Sequence, residues 1–168
     1  MDNVLNLSAF GEIIPGKKED KDDITFKSFM EEPEEEKKTE VKNPANLVSA
    51  KALQHTAQIK MLHWQTKSYA EHKSLDKLFK GILNFSDDLV ETIMGKYGRP
   101  HLDENHCNLV IKNYTEPGCC TEVIEDIKNC YMEECKSFFS AENDPEILNI
   151  LDEIIALLDK TMYLLTLK

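Results

Sequence analysis

Between Tyr69 and Tyr97 the chain contains no proline, and Leu75, Phe79, Ile82, Leu89 and Ile93 recur at helical intervals. That run predicts one long amphipathic helix. Gly98 can take the left-handed cap conformation, and Pro100 after Arg99 stops propagation. Three further segments read as helices. Asn43-Pro44 is an N-cap followed by proline at the first helical position, opening a helix to about Trp64 with Leu53, Ala57, Met61 and Trp64 along its apolar side. A third helix is expected from Thr121 to about Ala141, with Val123, Ile127, Cys130 and Tyr131 facing inward. Asp144-Pro145 opens a fourth, so dense in Ile and Leu from Ile147 to Leu167 that it belongs at the centre of a bundle. Residues 99–120 form a connector whose segment NLVIKNY is a short strand or an extended crossing. A connector of that length suits a bundle in which the second and third helices are not a tight hairpin. The expected fold is all-α, with a four-helix bundle over residues 44–168 behind an acidic tail, residues 1–43.

The 31 acidic and 20 basic residues give a net charge of -11, which opposes phosphate binding. With no basic arm or patch, no nucleic-acid partner is expected. Residues 1–44 hold twelve acidic and seven basic residues, including EEPEEEKK, and few large apolar groups, so the segment cannot offset its own ordering entropy. Two apolar patches within it, Val4 to Ile14 and Ile24 to Met30, are candidate docking segments for a neighbouring subunit or another protein. Cys107, Cys119, Cys120, Cys130 and Cys135 are odd in number and contain no CxxC pair, which suggests reduced thiols in a cytosolic compartment. His101, His106 and Cys107 with Cys119 or Cys120 match no familiar zinc spacing. No charged n-region with an apolar h-region opens the chain, and Asp152, Glu153, Asp159 and Lys160 break the apolar runs of the last helix, so neither secretion nor membrane spanning is expected.

His63, His72, Asp76, Asp87 and Glu91 are the constellation that can carry chemistry. On one helix, His72, Asp76, Asp87 and Glu91 fall within an arc of about 100° bordering the apolar face. His72 and Asp76 are one turn apart, as are Asp87 and Glu91. The two pairs cannot share an ion within one chain, because Asp76 and Asp87 lie about 16 Å apart along the axis. A second, antiparallel copy across a two-fold axis would join one chain's His72 and Asp76 to the other's Asp87 and Glu91. Mixed imidazole and carboxylate ligands suit iron, zinc or manganese better than calcium or magnesium. The same residues also read as the solvated flank of a helix, interleaved with Lys73, Lys77 and Lys80, the last inside the ligand arc. His55 lies eight residues, about two turns, before His63, too far to chelate the same ion, and reads as a surface or core-edge histidine.

His63-Trp64, then an aromatic, a His and an Asp four residues on, then Asp and Glu eleven and fifteen residues beyond, resembles the DNA-protecting ferritins of the Dps family. The form SYAEHKSLDKLFK…D…E…GKYG is more similar still to a group of small ferritin-like proteins of phages and large DNA viruses, as is ILNILDEIIALLDKTMYLL. The resemblance covers roughly residues 53 to 98 and implies a ferritin-like bundle with a ferroxidase centre between two subunits. It implies that one subunit gives His63, His72 and Asp76 and the other Asp87 and Glu91. The segment between His63 and His72 is three residues shorter than in those ferritins, which bears most on His63. No Glu-x-x-His pair occurs in the last two helices, so the intramolecular di-iron site of large ferritins is not expected. Two functions follow as expectations: an iron-binding or iron-oxidising homodimer or larger assembly, and a non-catalytic structural or adaptor bundle of a virion. The setting is cytoplasmic, or host cytoplasm and virion if viral.

Overall fold

The computed structural model describes residues 43–102 and 109–167. The acidic tail, its two apolar patches, and His106 and Cys107 lie outside the described residues. Four α-helices and no strand are found among those described: α1 Pro44–Gln65, α2 Tyr69–Tyr97, α3 Cys119–Asn129 and α4 Pro145–Leu165. The chain is all-helical, as expected.

Local chemistry fixes the ends. The Asn43 side chain accepts the Ala45 amide at 2.9 Å, with Pro44 at the first turn. Ser68 caps α2 by accepting the Glu71 amide, and Gly98 closes it at φ 85, its own amide donating to the Met94 carbonyl. Asp144 precedes α4 but does not cap it with its side chain. Instead its carboxylate accepts the Tyr97 hydroxyl at 2.7 Å and the Ser140 amide at 3.0 Å, and it pairs with Lys96 at 2.7 Å. These partners hold the buried Asp144 carboxyl down to about 2, Lys96 first.

α1 packs along α2, α2 along α4, and α4 along α3. The core they enclose includes Leu75, Ile82, Leu89 and Ile93 of α2, Ile124 and Ile127 of α3, and Leu151, Ile154 and Leu158 of α4. α2 and α4 approach closely at Gly81, where an added Cβ would lie 2.5 Å from the Leu157 side chain. Phe79 is only partly buried, and Leu78 takes the core position beside it.

Two expectations are corrected and a third is narrowed. α1 turns Val48, Ala52, Ile59 and Leu62 inward, while Leu53 is 65% and Trp64 66% exposed. Leu53 and Trp64, expected to line the core, face outward, and the face carrying Val48, Ile59 and Leu62 is the one packed in the core. The third helix begins at Cys119 and does not run regularly to Ala141: after Asn129 it widens into a π-turn over Cys130–Cys135 and ends in a 3-10 turn, Lys136–Phe138. The Asp144 side chain takes the Ser140 amide there, and the chain turns. His55 is buried at 7% exposure and lines a pocket under the connector, so it is no surface residue but does stand at the edge of the core.

The described part of NLVIKNY crosses α1 as an extended strap, not a strand. Glutamines substitute for a pairing partner. Gln58 donates to the Lys112 carbonyl at 2.8 Å and accepts its amide at 2.7 Å. Gln54 donates to the Val110 carbonyl, and Gln65 accepts the Tyr114 amide.

Candidate metal centre at the corner of α1 and α2

α1 ends at Gln65 and α2 begins at Tyr69, so His63 and His72 sit in the facing turns of a tight corner. Glu71 fastens that corner, accepting hydrogen bonds from Thr66 at 2.5 Å, from the Tyr114 hydroxyl at 3.1 Å and from the Gly118 amide at 3.4 Å. The Ser68-x-x-Glu71 spacing carries the capping signal, but the wider role of Glu71 depends on the returning connector and is not visible in sequence.

The imidazoles of His63 and His72 stack with centroids 4.0 Å apart and planes 27° from parallel. Nδ1 of each lies 3.1 Å from the backbone carbonyl of the other. A carbonyl only accepts, so each Nδ1 carries the proton. In the neutral rings each Nε2 then holds the lone pair, the tautomer a metal-ligating histidine needs. His63 is 7% exposed and His72 open to solvent. Asp76 stands one turn beyond His72. Its carboxylate pairs with Lys80 at 2.8 Å, which holds its pKa below the usual range, with His63 and Lys60 adding to the effect. The Lys60 ammonium lies over the Phe79 ring, 4.4 Å from its centroid.

Asp87 and Glu91 are exposed on the same helix, more than two turns from this corner. Asp87 lines a groove of 520 Å³ between α1 and α2, with Ala52, Leu53, Leu83 and Val90. The structure therefore brings His63, His72 and Asp76 to one corner and leaves Asp87 and Glu91 apart. Among the described residues no group of three His, Cys, Asp or Glu side chains is arranged to hold a metal ion. The donor set fits iron chemically, but one chain does not close a coordination sphere.

No described helix is long and apolar enough to cross a membrane. No curated protein and no solved structure matches the chain. The chain belongs to a family of unknown function, DUF5856, whose model matches residues 63–165, from His63 to the last residue of α4.

Proposed function

We propose that this family member is a ferritin-like, non-haem metal protein that binds or oxidises iron at a site shared between two subunits. One subunit gives His63, His72 and Asp76, and a second, antiparallel copy gives Asp87 and Glu91. The observation that carries the reading is the reciprocal bonding of His63 and His72 at one corner, which occupies Nδ1 of each ring and leaves Nε2 outside that pairing. The open apolar groove beside Asp87, with Leu53 and Leu83 exposed, supports a second copy as its cover. Iron(II) would bind the imidazoles and carboxylates, and the carboxylates favour the harder ferric product after electron transfer to dioxygen or peroxide. Zinc and manganese suit the same ligands. The setting is cytoplasmic, and an acidic chain of this kind has no electrostatic means of coating DNA.

Iron uptake by the full-length protein, followed by absorbance growth in air and by elemental analysis, tests this. His72→Ala and Glu91→Ala should each abolish saturable iron binding while leaving helical content unchanged. Metal content unaffected by both substitutions would overturn the reading.

The pairing of Asp76 with Lys80 favours a second reading, in which the corner is purely structural and the protein is a non-catalytic bundle, adaptor or virion component, with tail patches that dock a protein partner. Lys80→Ala separates the two. It should tighten iron binding if Asp76 is a ligand and leave it absent if the corner only braces the fold.

A further inference from the structure

A second cluster lies about two turns back along α1 from the histidine corner. The π-turn presents Cys130 and Cys135 beside Lys51 and His55 of α1. An ordinary α-helix would hold residues five apart about 8.6 Å from Cα to Cα and about 140° apart around the axis, beyond the roughly 7 Å that a disulfide tolerates. The π-turn, with its five-residue hydrogen-bond spacing, stacks the same two positions one turn apart on one face. Cys130 is partly exposed and lines a 250 Å³ pocket under the connector strap, whereas Cys135 is fully buried. His55 lines that pocket too, and its buried Nδ1 has no hydrogen-bond partner among the described residues. Lys51 reaches in from α1 and pairs with Glu134 at 2.9 Å, and Glu134 accepts the Cys130 thiol at 3.7 Å.

We propose that Cys130 and Cys135 form a hydroperoxide-reactive thiol pair, with Cys130 as the attacking sulfur, Cys135 as the resolving sulfur, Lys51 supplying positive charge and His55 placed to relay the proton. The groups facing Cys130 act in both directions: Lys51 and His55 favour its thiolate, while the Glu134 carboxylate accepts its proton and pairs with Lys51. The neighbouring Cys135 thiol, then His55 and Lys51, hold the Cys130 thiol well below the usual thiol range, and the same pairing with burial pushes the Cys135 thiol up. Lys112 and Asp126, also at the pocket, neutralise each other as an ion pair.

The Cys130 thiolate attacks one peroxide oxygen. The O–O bond breaks, the sulfur becomes a sulfenic acid, and the departing oxygen takes a proton and leaves as water or an alcohol. Cys135 then gives up its proton and attacks the sulfenic sulfur. The S–S bond forms, the S–O bond breaks, and a second oxygen leaves as water. Two electrons pass from the thiol pair to the hydroperoxide, and a small dithiol restores the reduced pair by exchange. Metal binding explains the cluster less well, since no third ligand stands in position among the described residues.

The test is titration of the reduced, full-length protein with hydrogen peroxide in the presence of a chelator, followed by thiol alkylation and peptide mass mapping. A Cys130–Cys135 disulfide that dithiothreitol reverses should be the first product. Cys135→Ser should stop at a sulfenic acid on Cys130 that dimedone captures. Cys130→Ser should slow peroxide consumption about tenfold or more, and His55→Phe should slow it less. Oxidation of Cys107, Cys119 or Cys120 before the pair, or Cys130→Ser reacting at the wild-type rate, would overturn the proposal. The wild-type peptide map decides the matter even if a cysteine variant does not fold.

Discussion

Two histidines of α1, eight residues apart, are held in opposite ways. His63 has its Nδ1 fixed by a backbone carbonyl, with its ring stacked on His72. His55 has its Nδ1 buried without a partner and its ring set edge-on to Tyr131, 5.0 Å between centroids. A carbonyl that fixes the proton of an imidazole turns the other nitrogen into a standing electron-pair donor, which suits a metal. An imidazole left unfixed keeps both tautomers open, which suits proton movement beside a sulfur nucleophile. The same residue type on one helix is thus prepared for two chemistries by its hydrogen bonds alone.

The largest effect should come from removing what the two regions share. Ile59 is fully buried on α1 between the two histidines. Ile59→Ala should cost about 2–5 kcal/mol in chemical denaturation, and it should weaken iron binding and thiol oxidation together. Loss of one activity alone would mean the regions are mechanically independent.

Asp144 supplies a contrast distant from both. Its carboxyl lies below the unfolded value of about 3.9, so its contribution is complete above that value and fades as pH falls through about 2. Asp144→Asn should lower the melting temperature at pH 7, with the difference from wild type shrinking toward pH 2. Neither the iron nor the peroxide reaction should change at 25 °C.

Gln58→Ala should act on one side only. It removes both bonds to Lys112, costing about 1–2 kcal/mol, and loosens the strap over Cys130. Alkylation of Cys130 should quicken while iron binding at His63 stays as it was. The smallest effect is expected at Tyr131, whose buried hydroxyl lacks a partner among the described residues. Tyr131→Phe should be neutral or stabilising by up to about 1 kcal/mol, as read from the denaturation midpoint.

Sequence carried the parts of this fold that depend on local rules. Asn43-Pro44, Gly98 and Pro145 bound their helices as expected, because capping and proline act within a few residues. α1 was misread because it carries apolar groups on more than one side, and only the position of α2 decides which side is covered. The π-turn was invisible, since Cys130 and Cys135 have no spacing that signals it. The histidine corner was half legible: the ligand types and the separation of Asp87 from Asp76 could be read directly, whereas the stacking of His63 on His72 needs the short turn to be folded.

The close approach of Gly81 to Leu157 also bears on how sequences of this kind can change length. Together with Tyr97 bonded to Asp144, it fixes the antiparallel α2 and α4 at two separate heights. A helix pinned at one point can slide by a turn and repack, but one pinned at two cannot without losing both pins. Insertions and deletions between residues 81 and 97, or between 144 and 157, should therefore be purged. A library of single-residue insertions selected for soluble expression would reveal these two stretches as silent blocks.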